Sequence, residues 1–468
     1  MSGRSAVVDT LPAAVLEEAP EDASGRPTRH LPLGHLVRIS LYWLGLSAVW
    51  SGFLDIVNGR LQFTGLVPRG SEGAAALQIS ILGTLIAIVV QPTVGSISDY
   101  TMTRWGRRKP YIFIGSLLDI LFLYGIATSN TILAIAIFVA LLQFSSNFAQ
   151  GPFQGYVPDL VPAPQVGLAS GFIGLFSALG NVIGFVVAAV AIAASDPAAP
   201  FHTPGAFVYG LLALGVIEFA TMLSVVIRVD EGRRAKPREG RSWLSIAGEA
   251  WGTDILQERS FLWLVGSRFF VLLAGALLVT LSTFYLAQTF GLSAQQTGET
   301  KLILLGIVIV GISLSVVPSA RLSDRVGRKK VIYAACALGG TGLAIGAVAP
   351  TVPIALAGAA LFAVAAGSFL AVDWALMTDI IPKASSGRYM GISNVATASS
   401  GIVALALGGA AVMDTVNALM GYGTGPRAAL WLGVVCYAIG ALLLVPVQER
   451  RREDAPAALA VAQVASEP

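Results

Sequence analysis

Nine polar side chains stand in two rows inside otherwise apolar stretches. Ser47, Ser51, Asp55, Asn58 and Gln62 follow one another at i, i+4, i+8, i+11 and i+15; Gln143, Asn147, Gln150 and Gln154 do so at i, i+4, i+7 and i+11. At about 100° per helical residue the first row spans an arc of roughly 80° and the second roughly 60°. Hydroxyls and amides aligned on one helix face can bind a hydroxyl-rich solute, or can bond to a neighbouring helix. Five charges also fall within apolar stretches: Asp55, Asp119, Glu218, Arg268 and Asp373. Asp55 lies toward one end of its stretch and is expected to be partly solvated. Arg268 and Asp373 sit at similar distances from their stretches' ends, so an ion pair is expected, either to bind a substrate charge or to serve structure. Asp119 and Glu218 sit at mid-stretch. A carboxyl without a cation there suits proton binding, although a neutral carboxyl bonded to a neighbouring helix is the simpler expectation.

The elements that carry these residues are long and greasy. Of the 468 residues 55% are apolar and 12% charged, half the share of roughly a quarter found in soluble domains. Mean hydropathy is +0.74. Such a chain cannot clothe a soluble core in charge, and a bilayer removes that need. With about 20 apolar residues per crossing, the runs predict spans at 37–58, 75–97, 110–128, 131–153, 168–194 and 205–228, then 261–289, 298–319, 331–349, 353–380, 388–412 and 428–447. A polar row facing lipid would be costly, so both rows are expected to face protein or, preferably, a water-filled cavity.

Basic residues alternate with the spans. Arg104, Arg107, Arg108 and Lys109 follow span 2, a basic stretch (EGRRAKPREGR) follows span 6, and Arg321, Arg325, Arg328, Lys329 and Lys330 follow span 8. Lys383 and Arg388 precede span 11, and Arg450, Arg451 and Arg452 follow span 12. Only Arg60, Arg69, Lys301 and Arg427 fall on the other side. This asymmetry predicts a cell-membrane protein with both termini in the cytoplasm. Residues 1–35 lack the apolar middle of a signal peptide and are expected, like 449–468, to be a disordered tail. Residues 229–260 are expected to link two halves, 36–228 and 261–448, in part as a surface helix. Cys336 and Cys436 have no metal-ligand spacing, and His30, His35 and His202 are too scattered for a metal site.

The halves repeat. Trp43 and Trp263, Asp159 and Asp379, and Gly171 and Gly391 are each 220 residues apart, and Gly106 and Gly327 are 221 apart. One offset shared by four landmarks predicts two similar six-helix bundles. Small residues at four-residue spacing, Gly167 with Gly171, Gly180 with Gly184 and Gly342 with Gly346, predict close helix approach.

The last landmark sits in a repeated loop. Residues 95–109 are GSISDYTMTRWGRRK and residues 320–330 are ARLSDRVGRKK. Both resemble the loop signature of the major facilitator superfamily, Gly-x-x-x-Asp-Arg-x-Gly-Arg-Lys. Ala320 departs from it, and the first copy holds four extra residues between Asp99 and Arg104. That longer form, with Pro110 and Tyr111 behind it, is similar to sucrose carriers and glycoside–pentoside–hexuronide cation symporters. The resemblance implies an all-α fold of twelve transmembrane helices in two pseudo-symmetric bundles, with spans 1, 4, 7 and 10 around a central cavity. It also implies a cytoplasmic gate. Asp99 would face the helix N-terminus near Gly387–Met390, and Asp324 the one near Gly167–Ser170, where unpaired N–H groups favour an anion. Arg104, Arg107 and Arg108 would pair with Asp159, and Arg325 and Arg328 with Asp379. Alternatively these charges only mark topology.

The expected function is a secondary transporter acting by alternating access. It would move a sugar or glycoside, coupled to a proton or sodium, with no other cofactor. The cavity candidates are Ser51, Asp55, Asn58, Gln143, Asn147, Gln150, Arg268 and Asp373, with Trp43, Trp50 and Trp374 as surfaces on which a ring could stack. An exporter of amphipathic drugs is one alternative, and a non-transporting receptor or sensor is another. No phosphate-binding loop or nucleophile–base arrangement points to an enzyme. The expected partners are a small solute and the bilayer, not nucleic acid, with a monomer as the working unit.

Overall fold

A computed structural model describes residues 30–229, 231, 259–380 and 399–447, without the side chains of 158, 163, 374, 375 and 378–380. The expected tails, linker helix and Gly387–Met390 turn fall largely or wholly outside the described residues, as do the side chains of Trp374 and Asp379. Twelve helices among the described residues are long and apolar enough to cross a membrane, and the protein is a multi-pass membrane protein. Hydrocarbon offers no partner to a backbone N–H or C=O, so every crossing satisfies its own as a helix. The first six are α1 (Leu33–Phe63), α2 (Glu72–Asp99), α3 (Lys109–Thr128), α4 (Ile132–Gln154), α5 (Val166–Ala194) and α6 (Ala206–Arg228). The others are α7 (Arg259–Thr289), α8 (Ala294–Val326), α9 (Arg328–Val348), α10 (Val352–Ile380), α11 (Ser399–Met420) and α12 (Gly425–Leu443). α7 closes in a π-helical turn, Tyr285–Thr289, and α11 is π-helical over Ala404–Asp414.

Several helices outrun the apolar stretches that predicted them. α1 has 31 residues against the expected 37–58, and it begins inside the stretch assigned to the tail. Hydropathy falls off at His35, Arg38 and Gln62, but backbone hydrogen bonding does not. At about 1.5 Å per residue such a helix exceeds the roughly 30 Å of hydrocarbon, so its polar ends project or it tilts.

The packing repeats six helices on. α1 packs on α5 and α6, α2 on α4, and α3 on α4 and α6. Correspondingly α7 packs on α11 and α12, α8 on α10, and α9 on α10 and α12. The helices that cross between halves follow the same rule, since α5 meets α8 as α11 meets α2, and α1 meets α7. Such exchange is what two equivalent bundles facing each other produce. The helix ends follow it too. Arg60 donates to the carbonyls of Ile126 (2.5 Å) and Ser129 (2.7 Å) at the end of α3, and Arg427 to that of Ala349 (2.7 Å) after α9. In both a cation meets the negative end of a helix.

Small residues set the helix spacing. Gly180 and Gly184 lie against Leu44 and Ser51 of α1, where any side chain would collide. Gly342 does the same for α9 and α10. Among the described residues, a side chain added at Gly167 or Gly171, expected to serve likewise, would meet nothing within 4 Å, so the glycine face at that end of α5 is open, while Ala169 between them is buried and its carbonyl accepts from Ser40 of α1. Leu85, Leu121, Leu133, Val216 and Leu314 are exposed.

These contacts make a paired prediction. A Cβ at position 342 would fall 2.5 Å from the Gly358 carbonyl and 2.8 Å from the Phe362 nitrogen, whereas one at Gly174 meets open space. Gly342→Leu should cost about 1–3 kcal/mol by overpacking and lower the thermal unfolding midpoint in detergent. Gly174→Leu should leave it unchanged.

Candidate functional site

The polar row on α1 ends in a seam between the halves, at the end of the bundle opposite the basic loops. Asp55 is buried there, 6% exposed. Its Oδ1 accepts from Lys301 Nζ at 2.5 Å and from Thr283 Oγ1 at 2.9 Å, while Lys301 also donates to Ser282 Oγ (3.0 Å) and Thr283 Oγ1 (2.8 Å). The expectation of a partly solvated Asp55 is therefore corrected, because α7 and α8 of the other half close over it. Lys301 was placed by sequence only as one of the few cations on that side. It stands two turns into α8, behind a capping box of Ser293 and Gln296, and its partner is 246 residues away.

Further along α1, Asn58 Nδ2 donates to the Thr280 carbonyl at 3.0 Å. Gln62 accepts from Gln288 (3.0 Å) and donates to the Tyr422 hydroxyl (3.1 Å), which donates in turn to Glu72 Oε1 (2.9 Å). Burial pushes the Tyr422 phenol up to about 12, so it keeps this proton at any physiological pH. Asn417 Nδ2 donates to Gln288 Oε1 at 2.9 Å. The π-helical turn of α7 carries Gln288 into this network.

Two further carboxylates close the seam by an exchange that matches the packing. Asp414, at the end of the π-helical stretch of α11, accepts from the Gly73 and Ala74 N–H groups at 3.1 and 2.7 Å, at the N-terminus of α2. Asp196, just after α5, accepts from Gln295 N–H at 3.1 Å at the N-terminus of α8, and from Ala198 N–H at 3.0 Å. These bonds hold the Asp196 carboxyl below its ordinary range. Each half thus caps a helix of the other with an anion at its positive end. The two aspartates are 218 residues apart, close to the repeat offset, which is the signal that could have found them.

The rest of the α1 row turns within its own half. Ser51 Oγ donates to Ser47 O (2.8 Å) and Asn181 O (3.1 Å). On α4, Gln143 is buried against Gly83 of α2, Asn147 donates to Gln143 O at 2.8 Å, and Gln150 is half-buried. Arg268 and Asp373 form an ion pair between α7 and α10, 4% and 1% exposed. Trp43 packs on Phe153 and Trp50 on Phe53.

The first basic loop folds onto its own half. Arg107 and Arg108 both pair with Asp159, and Arg108 also reaches Asp99 (2.7 Å) and the Pro152 carbonyl (2.6 Å). Gly155 admits the Arg108 guanidinium where a methyl group would collide with it. Arg104 lies 5.9 Å over the Trp105 ring instead of reaching Asp159, because the loop turns back on itself at Thr103–Gly106, where Gly106 has φ +121. Glu231, absent from the sequence candidates, accepts from Arg108 N–H (2.8 Å) and the Tyr156 hydroxyl. That carboxylate and burial hold the Tyr156 phenol well above its ordinary value. In the second copy Asp324 and Arg325 are exposed, Arg328 is half-buried, and Lys329 donates to the Val447 carbonyl at 2.7 Å.

The family described as MFS/sugar transport protein matches residues 70–446. The membrane-associated transporter protein of Mus musculus is 28% identical over 207 residues, 41% of this chain and 38% of that protein. Sucrose transport protein SUT1 of Oryza sativa subsp. japonica is 30% identical over 169 residues, 27% of this chain and 31% of that protein. The chain thus spans between 31% and 38% of the length of these curated relatives. Among solved structures, an inward-facing bacterial homologue of the human lysosomal transporter Spinster superposes with TM-score 0.68 at 12% identity, over 90% of this chain and 97% of that one. A D-xylose–proton symporter does so with TM-score 0.64 at 18% identity, over 88% and 97%. At these identities the likeness is one of fold.

The seam geometry predicts a double-mutant result. Removing one partner of a buried ion pair costs about 3–5 kcal/mol, because the other charge is left stranded. Lys301→Met should raise amide hydrogen exchange across residues 55–61, and Asp55→Asn with Lys301→Met should recover most of the protection. The Asp196 contribution is present above the ordinary aspartate value of 3.8 and is lost as pH falls below it. Amide protection at the start of α8, corrected for the intrinsic exchange rate, should therefore be flat through neutral pH and fall only in stronger acid.

Proposed function

This chain belongs to the MFS/sugar transport protein family, and from that premise we propose that it is a secondary transporter of the cell membrane. It moves a sugar or glycoside, coupled to a proton or another cation, by alternating access. The observation that carries this reading is one-sided closure. Polar contacts knit the halves together at the end opposite the basic loops. Toward the basic loops, a side chain added at Gly167, Gly171 or Gly174 of α5 or at Gly401 of α11 would meet open space among the described residues. With the basic loops inside, by the preference of Lys and Arg for the cytoplasmic face, these contacts support a state closed outward and open inward.

In the opposite state the seam parts and admits water. The α1 row then lines the open cavity. Breaking Asp55–Lys301 is tolerable under those conditions, since at 4 Å an ion pair is worth only about 1 kcal/mol in water. Asp99, Asp324 and the basic clusters around Asp159 and Asp379 would then form the inner closure. Ser51, Asp55, Asn58, Gln143, Asn147 and Gln150 supply hydroxyl, amide and carboxylate partners for a polyol, and Arg268 with Asp373 a charged pair opposite them. The family description and the sucrose and xylose carriers among the similar proteins support the sugar class.

The test is uptake of labelled sucrose and of an aryl glucoside into proteoliposomes, with and without imposed pH or sodium gradients. One-to-one coupling should concentrate the sugar by at most about tenfold per pH unit, the factor that corresponds to 1.36 kcal/mol. Gradient-driven export of a lipophilic dye with no uptake of either sugar would replace this reading with that of a drug exporter.

A further inference from the structure

One buried cluster belongs neither to the seam nor to the basic loops. Asp119 on α3 and Glu218 on α6 have no exposed surface and lie within hydrogen-bonding reach of each other inside the first half. Glu218 Oε1 accepts from the Tyr42 hydroxyl of α1 at 3.0 Å, and that hydroxyl meets Ser116 Oγ at 2.5 Å. Asp119 Oδ1 accepts from the Ser145 hydroxyl of α4. The other two carboxyl oxygens, Asp119 Oδ2 and Glu218 Oε2, have no donor, and neither they nor the buried Ser146 Oγ is hydrogen-bonded.

The facing groups come from four helices. α1 supplies Tyr42, α3 supplies Ser116 and Asp119, α4 supplies Ser145 and Ser146, and α6 supplies Glu218. Among the described residues, no lysine, arginine or histidine of these helices reaches the pair. The other buried carboxylates of the spans differ: Asp55 has Lys301, Asp373 has Arg268, Asp414 has the N–H groups of α2, and Glu72 has the Gly70 N–H and the Tyr422 hydroxyl, one on each oxygen. Two ionised carboxylates about 4 Å apart repel by about 4 kcal/mol even at an effective dielectric constant of 20, and each also loses its hydration. A proton shared by the two carboxyls relieves both costs and supplies a donor, as in other paired carboxyls.

We propose that Asp119 and Glu218 form a proton site in the first half, with one proton retained between the two carboxyls and a second one exchanged, and that this exchange couples transport to a proton gradient. The coupling part rests on the carrier reading above. With one proton the pair carries a single negative charge, and the Tyr42 hydroxyl donates to Glu218 Oε1. The second proton binds Glu218 Oε1 and makes the pair neutral. That O–H then donates to Tyr42, whose own proton swings toward Ser116. The Tyr42–Ser116 contact accepts either direction, so no heavy atom has to move.

The test uses the full chain in proteoliposomes. Infrared difference spectra should show a protonated-carboxyl stretch that titrates with pH and disappears in both Asp119→Asn and Glu218→Gln. Tyr42→Phe, which keeps both carboxyls, should shift the midpoint of that titration by removing a donor. In the two carboxyl variants the ratio of sugar uptake with and without a pH gradient should fall to one. No such band in the wild type, a band unmoved by the variants, or one abolished by sodium at constant pH would overturn the proton site. The last result would make it a sodium site built from the same oxygens. An unchanged uptake ratio in either carboxyl variant would overturn the coupling. Wild-type protein that takes up no sugar would refute the carrier reading and the coupling with it, while the infrared band would still decide the proton site.

Discussion

A polar atom held in hydrocarbon must find its partner within the protein or in water that the protein admits. Nearly every arrangement described above answers that demand. The α1 row is partnered by α5 near one end and by α7 and α8 near the other. Arg60 and Arg427 end α3 and α9. Asp55 and Lys301 cancel each other under a cover of helices, and two hydroxyls share the same ammonium group. A carboxyl pair without a cation takes up a proton.

The same demand makes the seam reversible. Its contacts are hydrogen bonds and one ion pair, with apolar packing as backing, and water can replace each of them once the halves part. A seam sealed by interlocking leucines would resist opening, because wetting apolar surface costs about 25 cal/mol per Å². The seam is thus tight when dry and inexpensive to flood, a combination that a moving interface requires.

Much of this was legible locally. Apolar runs located all twelve crossings, because hydropathy needs no knowledge of neighbours, and only the polar helix ends were cut short. The shared offset exposed the two bundles. The rows on α1 and α4 signalled inward-facing surfaces, since their spacing alone defines a face. Partners were harder to see. Asp55 sits 246 residues from Lys301, and no local pattern links them. Glu231 lies in a stretch that otherwise looked like a plain linker, and it meets Arg108 only after the chain has crossed the bilayer four more times. Arg104 was paired with Asp159 by the family resemblance, but the tight turn at Gly106 sends it to Trp105. Asp196 and Asp414 lie at the edges of their helices, so a search for charges inside the spans passed over both.

The two cross-caps at Asp196 and Asp414 divide their vulnerability unevenly. Their donors are main-chain N–H groups, which nineteen of the twenty amino acids provide equally well, so drift in sequence at 74 or 295 leaves the donor in place unless proline arrives, whereas at 73 any side chain would strike the Gly409 backbone. Their acceptors are single carboxylates. Over generations, variation should therefore accumulate at 74 and 295 and hardly at all on Gly73 or on the two aspartates that grip the helix starts.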